Sequence, residues 1–315
     1  MRVLIALGGN AMTAADGRAR PEDQIAAVRV AVEPVADLVT AGIEVVLTHG
    51  NGPQVGNLLV KNELAASVVP PVPLDWCGAQ TQGTIGFILI NALERALAAR
   101  GGDAERPVTA IVTRTRVEAH DPGFDKPTKP IGRYLPAGEA KVLIEHGQTW
   151  EDRGEGGWRR VVASPEPQEI LDAPAVAALI AAGFVVVAAG GGGVPVVREP
   201  DGSIRGVEAV IDKDLAAALL GRMVDADLLV IATDVPNAVL GFGTDDARPL
   251  GRVDVATMRR YAADGQFASG SMGPKVEAAC RFVEQRDGRR AVITSLDRIA
   301  AAVGGATGTE IVPDR

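Results

Sequence analysis

Short, continuously apolar segments alternate with longer helical segments along most of the chain. Segments such as VLIAL, VVLT, VVVAA and LLVIA lack polar alternation, which is typical of strands buried on both faces of a parallel sheet. Strands are predicted at 3–7, 44–48, 108–113, 185–189, 228–232 and 291–294, and helices at 21–41, 53–66, 75–100, 175–182, 215–220, 255–263 and 273–285. This order predicts an α/β fold, a three-layer α/β/α sandwich around a mainly parallel central sheet.

Two segments interrupt the alternation. Residues 118–161 are rich in proline, glycine and charge and contain two of the three tryptophans. We predict that they form a small protruding lid subdomain, called the excursion below. Residues 194–207 carry Asp201-Gly202 between apolar residues, which is typical of a hairpin turn.

Composition excludes several classes of protein. The chain has 32 basic and 40 acidic residues, a net charge of −8, which argues against a nucleic-acid binder that works by bulk charge. The uncharged segment 173–197 is interrupted by prolines and glycines, so it predicts helix, turn and strand rather than a membrane span. Two cysteines are too few for a disulfide scaffold. We therefore expect a cytoplasmic protein with no nucleic-acid or membrane partner.

Four glycine loops lie at the ends of predicted strands or the starts of predicted helices. Glycine lets backbone N–H groups approach an anion, and a helix that begins there adds its dipole. Because ligands of open α/β sheets bind at the carboxyl ends of the strands, the loops favour phosphate binding over turn geometry alone. The loops are Gly8-Gly9-Asn10, Gly50-Asn51-Gly52, Gly190 to Gly193 and Gly270-Ser271-Met272-Gly273. The motifs G-x-x-x-x-G-K-[ST], G-x-G-x-x-G and G-x-S-x-G do not occur.

Lysine is scarce in this chain, with six lysines against 26 arginines. A compact ammonium suits a transferring phosphoryl group in a tight pocket better than a planar guanidinium does. Lys129, Lys213 and Lys275 stand at loop or helix-start positions, which favours a function over a solvated surface charge. Asp214 is either a favourable charge in the first turn of its helix or a group that orients lysines. Asp234 is either a turn former or a nucleotide contact.

Seven segments together resemble the carbamate kinases, which belong to the amino acid kinase fold. They are ALGGNA (6–11), THGNGPQVG (48–56), PLDWCGAQTQGTIG (73–86), PTKPIG (127–132), AAGGGGVPVV (188–197), VEAVIDKDLAAALL (207–220) and GSMGPKVEAA (270–279). Most other members that phosphorylate carboxylates have a lysine just before the first glycine pair. Ala6 stands there in this chain, and Lys129 resembles its substitute, as in carbamate kinases.

The resemblance implies one amino acid kinase-like domain over 1–315. It would catalyse ATP + carbamate ⇌ ADP + carbamoyl phosphate with Mg²⁺ on the nucleotide phosphates and without a covalent intermediate. In many organisms this reaction makes ATP during arginine breakdown. The amino-terminal half would bind carbamate and the transferred phosphoryl group, and about 184–315 would bind the nucleotide. Family members are homodimers that share an extended sheet.

The resemblance also assigns residues. The substrate-binding set would be Gly8, Gly9, Asn10, Gly50, Asn51 and Gly52. The catalytic set would be Lys129, Lys213, Asp214 and Lys275. The nucleotide-binding set would be Asp234, Gly270, Ser271, Met272, Gly273 and Lys275. His49 and Cys77 are interpreted as packing residues.

Two departures lie near the expected nucleotide site: Ser269 stands where the family pattern has proline, and Gly241 where it has asparagine. Two rival hypotheses remain, a kinase of the same fold acting on another small acid such as an acylated amino acid, and a non-catalytic nucleotide-binding relative. Ala6 and the intact PTKPIG segment argue against the first. Retention of all three lysines and Asp214 argues against the second.

Overall fold

The computed structural model describes residues 1–9, 20–101, 106–268 and 270–314, so Asn10 and Ser269 lie outside the described residues. Its main sheet has eight strands: β1 (Arg2–Leu7), β2 (Glu44–His49), β3 (Val108–Ala110), β9 (Val185–Val187), β12 (Leu228–Thr233), β15 (Arg252–Asp254), β16 (Arg290–Ser295) and β17 (Thr309–Val312). Their spatial order is β15-β17-β16-β12-β1-β2-β9-β3. All are parallel to one another except β17, which runs antiparallel to β16, and β15, which is parallel to β17. The expected mainly parallel sheet is confirmed.

Helices cover both faces of this sheet, as expected for a three-layer sandwich. One layer contains α1 (Pro21–Thr40), α3 (Leu74–Ala99) and α10 (Ile299–Val303), and the other contains α6 (Ala173–Ala181), α7 (Lys213–Met223), α8 (Val255–Ala263) and α9 (Met272–Glu284). In β1, Val3, Ile5 and Leu7 pack toward the first layer, while Leu4 and Ala6 pack toward the second. This alternation buries both faces of the strand and explains why its sequence is continuously apolar.

The excursion has a small sheet of its own. Strands β5 (Lys129–Leu135), β7 (Trp158–Val162) and β6 (Trp150–Asp152) lie in that order, beside α4 (Pro122–Asp125) and α5 (Ala137–Glu145). Leu135, Ala140 and Trp150 form a separate buried cluster within it. The other side of this sheet packs on α2 (Gly52–Ala65), where Ile131 and Val162 join Val55 and Leu59. The excursion therefore has a small core of its own and is anchored to the rest of the protein through α2.

The remaining strands form two further sheets. The order β11-β10-β4-β8 joins β4 (Arg114–Arg116), β8 (Glu169–Ile170), β10 (Val194–Arg198) and β11 (Ile204–Gly206), and β13 (Val239–Leu240) pairs with β14 (Arg248–Pro249). The antiparallel pairing of β10 with β11 confirms the hairpin expected around Asp201-Gly202.

The prediction of one strand over 108–113 is wrong. The strand of the main sheet ends at Ala110, and the chain bends before β4 enters the second sheet. At the bend, hydrogen bonds to side chains replace the backbone hydrogen bonds between strands. The backbone N–H of Thr113 donates to Gln82 Oε1 at 2.9 Å, and Thr113 Oγ1 accepts from the Ala189 N–H at 2.7 Å.

Candidate active site

The parallel register brings three of the predicted glycine loops to one edge of the main sheet. Leu7 is opposite His49 on one side and Ala232 on the other, so the chain leaves β1, β2 and β12 at the same level. Thr48 Oγ1 donates to the Ala189 carbonyl at 2.8 Å, which ties the end of β2 to the glycine turn after β9. The fourth loop reaches this edge at the start of α9. The result is a cleft of about 710 Å³, called the cleft below.

Glycine is required where these loops touch. A Cβ on Gly50 would lie 2.7 Å from the backbone nitrogen of Gly9, so the first two loops are in direct contact. Gly191 has φ +65°, and a Cβ there would lie 2.1 Å from Asn51 Nδ2, which donates to Thr81 Oγ1 at 3.0 Å. Side chains at these positions would clash with the neighbouring loop and push the loops apart.

Asp214 joins two of the predicted lysines. Its Oδ1 accepts from Lys213 Nζ at 2.5 Å and its Oδ2 from Lys275 Nζ at 3.0 Å. Of the two interpretations of Asp214, the geometry matches the one in which it holds lysines. Burial alone would raise the pKa of Asp214, but the two ammonium groups outweigh burial and lower it to about 2. Burial lowers the pKa of the Lys213 ammonium, and Asp214 opposes that shift.

The cap of α7 is Asp212. Its Oδ1 accepts from the backbone N–H groups of Asp214 at 2.9 Å and Leu215 at 3.3 Å, so it satisfies the free donors of the first turn. Its Oδ2 accepts from Lys129 Nζ at 2.6 Å. This side chain therefore connects the excursion to the helix start that carries Lys213 and Asp214.

A smaller, mostly apolar pocket of about 230 Å³ adjoins the cleft. Ser271 and Lys275 line both cavities. The side chains of the smaller pocket include Asp234, Val235, Val239, Phe242, Phe267 and Met272. An apolar pocket beside a cationic cleft can bind a ligand that has both a flat aromatic ring and phosphate groups, with the ring in the pocket and the phosphates near the lysines.

The other predicted site residues divide into two groups. Gly9, Gly50, Asn51, Gly52, Gly270 and Ser271 line the cleft, as do Lys129, Lys213, Asp214 and Lys275. Gly8 lies behind it, where its N–H donates to the Ala232 carbonyl at 3.0 Å, and Gly273 packs against Ala268.

His49 and Cys77 are fully buried, in line with a packing role. The turn residue Gly241 has φ +60°, a conformation that both glycine and asparagine adopt readily, which accounts for that departure from the family pattern.

Sequence reasoning missed three charged residues of the cleft. Arg133 and Arg159 reach it from the excursion, and Asp212 lies between Lys129 and α7. Arginine is so common in this chain that neither arginine gave a signal. Asp212 did carry one, because an aspartate directly before a helix-start pattern is a preferred N-cap.

Comparisons with known proteins agree with this geometry. A model of the amino acid kinase family matches residues 1–295. The chain is 48% identical to a carbamate kinase of Thermococcus kodakarensis, over 99% of both chains, and 44% identical to the carbamate kinase-like protein YahI of Escherichia coli, over 98% of both. A structure of Giardia lamblia carbamate kinase bound to AMP-PNP superposes with a TM-score of 0.91 at 40% identity, covering 99% of this chain and 98% of that one.

The α/β/α fold, the cleft and these relatives together place the chain among phosphotransferases. The chain belongs to the amino acid kinase family, and the resemblance to its carbamate kinases is confirmed. Among the described residues, no helix is long and apolar enough to cross a membrane.

Proposed function

We propose that the protein is a carbamate kinase that transfers a phosphoryl group directly between ATP and carbamate. The observation that carries this proposal is the placement of Lys129, Lys213 and Lys275 around a glycine-lined cleft that adjoins an apolar pocket. Phosphoryl transfer needs in-line positioning and positive charge near the equatorial oxygens, and little covalent chemistry from the protein. Carbamate is already an anion, so the reaction needs no general base to activate it.

The proposed roles follow the two cavities. Backbone N–H groups of the first two glycine loops would bind carbamate and the transferred group, with Lys129 on the acceptor side. Lys213 and Lys275 would neutralise the transferred group, and Asp214 would orient them. The smaller pocket would bind adenine, with Asp234 and the 270–273 loop near the ribose and phosphates. This arrangement divides one domain into an acceptor half and a nucleotide half.

Magnesium would arrive with the nucleotide. The described residues contain no group of three or more His, Cys, Asp or Glu side chains able to hold a metal ion, and Asp212 and Asp214 both accept from lysines. Such a site suits Mg²⁺ that is held by phosphate oxygens and keeps several waters. When bound with the nucleotide, the ion would neutralise negative charge on its phosphates.

A coupled assay of ATP formation tests this function. With MgADP and carbamoyl phosphate we expect ATP to form, faster than with acetyl phosphate, and to stop when the metal is chelated. Lys213→Ala, purified in parallel, controls for contaminating kinases. The rival hypothesis of an acylated amino acid kinase is tested by supplying ATP with such an acid; equal or faster turnover would overturn the proposal.

We also propose a homodimer that extends the main sheet. Strand β3 is one edge of that sheet, and α3, which packs against β3, carries Trp76 and Phe87 at 60% and 64% exposure. The opposite edge, β15, carries the exposed charge of Arg252. Two buried free cysteines fit the expected cytoplasmic location.

A further inference from the structure

Asp212 performs two tasks with one carboxylate. One oxygen caps α7 through two backbone N–H groups, and the other accepts from Lys129 Nζ, 83 residues earlier in the chain. The side chain is 12% exposed, so both oxygens are held among these partners. A cap alone would need one of them.

The pair with Lys129 contributes little to stability. The Lys129 side chain is 37% exposed, and ion pairs at that exposure are screened by water. The excursion is already held by the apolar contact of Ile131 and Val162 with α2. The ion pair with Asp212 instead determines the position of the Lys129 ammonium. Without a partner, the four-carbon stem of Lys129 can turn toward solvent.

We propose that Asp212 is a positioning residue that holds Lys129 at the cleft, next to the start of α7. This inference rests on the proposed function. An ammonium has three N–H donors. One is taken by Asp212, which leaves two for oxygens of the acceptor or the transferred phosphoryl group. The same carboxylate also caps the helix start that carries Lys213 and Asp214. It therefore fixes the position of the Lys129 ammonium relative to the charged groups of α7.

Asp212→Asn separates the two tasks. Asparagine caps helices as well as aspartate does, so the thermal midpoint should not change. With its only acceptor oxygen used for the cap, the amide presents an N–H₂ donor to Lys129 and releases it. We expect turnover to fall on the order of 10- to 10²-fold, with a smaller change in KM for carbamoyl phosphate. Loss of the cap instead would appear as a lower thermal midpoint. Asp254→Asn is the matched control, because Asp254 caps α8 away from the cleft through the Thr257 N–H.

A double-mutant cycle tests whether Asp212 acts through Lys129. In a Lys129→Ala background, Asp212→Asn should cause no further loss of turnover. Additive losses would overturn the inference, and so would wild-type turnover in Asp212→Asn. A lower KM with unchanged kcat would show that the negative charge of Asp212 only repels the anionic substrate. That result would also contradict a positioning role.

A second measurement does not depend on activity. Acetylation of Lys129 by an N-hydroxysuccinimide ester, followed by mass spectrometry, should be several-fold faster in Asp212→Asn than in the wild type, while exposed Lys61 reacts equally in both. Equal Lys129 rates would overturn the inference even if the enzyme is a carbamate kinase. If the wild type makes no ATP from carbamoyl phosphate, the proposed function fails, and the labelling rates still decide whether Asp212 holds Lys129.

Discussion

At the residue scale, the lysines divide by position. Lys129, Lys213 and Lys275 line the cleft, whereas Lys61, Lys126 and Lys141 are exposed on other surfaces. The three cleft lysines face two carboxylates, which leaves one positive charge in excess before the arginines are counted. A positively charged cleft attracts phosphorylated anions, although the chain as a whole is acidic.

Lys213 tests whether ammonium geometry matters beyond charge. Its side chain is 13% exposed and its Nζ is held by Asp214 Oδ1 at 2.5 Å, a position that a planar guanidinium on a longer side chain does not reproduce. Lys213→Ala should lower turnover on the order of 10²–10³-fold, as loss of one transition-state donor does. Lys213→Arg should restore little of it. Steady-state kcat and ADP affinity measure both, with Lys61→Ala as the unchanged control. Near-normal turnover of Lys213→Arg would refute the reasoning from lysine scarcity.

His49 should make stability depend on pH. It is 1% exposed, its Nδ1 lies 2.9 Å from the Gly50 carbonyl, and burial lowers its pKa from 6.5 to about 4. Between those values the unfolded chain binds a proton that the folded protein does not. Stability is therefore full above pH 6.5 and falls as the pH drops toward 4, by about 3 kcal/mol.

Urea unfolding at a series of pH values measures this contribution. His49→Gln should flatten the pH dependence between 6.5 and 4, whatever it does to stability at neutral pH. Exposed His120 gives the control variant His120→Gln, which should keep the wild-type slope. An unchanged slope in His49→Gln would show that other groups cause the dependence.

At the element scale, the sequence located six of the eight strands of the main sheet but missed β15 and β17, and of the smaller sheets it predicted only the β10–β11 hairpin. Buried parallel strands are continuous apolar runs, and β1, β2, β12 and β16 were each located to within two residues. Strands such as β4 (Arg114–Arg116) and β6 (Trp150–Asp152) are three residues long and mostly polar, so no apolar periodicity marks them. Their pairing depends on contacts between distant segments. For the same reason the sequence did not predict that Arg159 lines the cleft, because Arg159 reaches it through the pairing of β7 with β5.

The contact between α2 and β5 sets where the excursion places Lys129. A Cβ on Gly56 would lie 3.2 Å from the Cα of Gly132, which has φ +68°. Gly56→Ala should therefore shift β5 by a few tenths of an ångström and lower turnover on the order of 3- to 10-fold. Alanine favours the helix by about 0.5–1 kcal/mol, so the thermal midpoint should not fall much.

Gly138→Ala in α5 is the matched control, because a Cβ there meets nothing within 4 Å. It also changes glycine to alanine in a helix, here one of the excursion itself, and should leave turnover unchanged. If Gly56→Ala has wild-type kcat and KM, the α2–β5 contact does not position Lys129.

At the scale of the whole molecule, the two halves meet along β1 and β12. Val3 to Leu7 pair with Leu228 to Ala232, so one continuous sheet supports the loops that we propose bind the acceptor and the nucleotide. Lys213 and Lys275 come from the carboxyl-terminal half and Lys129 comes from the excursion, yet each lies within hydrogen-bond distance of Asp212 or Asp214. The sequence could nominate Lys129, Lys213 and Lys275, but only the packing of α7 beside α9 and of the excursion on α2 brings them together.

The proposed dimer predicts a mass and a surface. Trp76 and Phe87 are eleven residues apart on α3, about three helical turns, so they project from one face of the helix that packs against β3. Covering this face would remove two large aromatic side chains from water, a driving force typical of homodimers. Sedimentation equilibrium of the wild type should give twice the chain mass of 32.6 kDa. Trp76→Arg combined with Phe87→Arg should give monomers that keep their fold by circular dichroism, whereas Val30→Arg, at an exposed position of α1, should leave the dimer intact. A monomeric wild type at micromolar concentration, or a dimeric double variant, would rule out this surface.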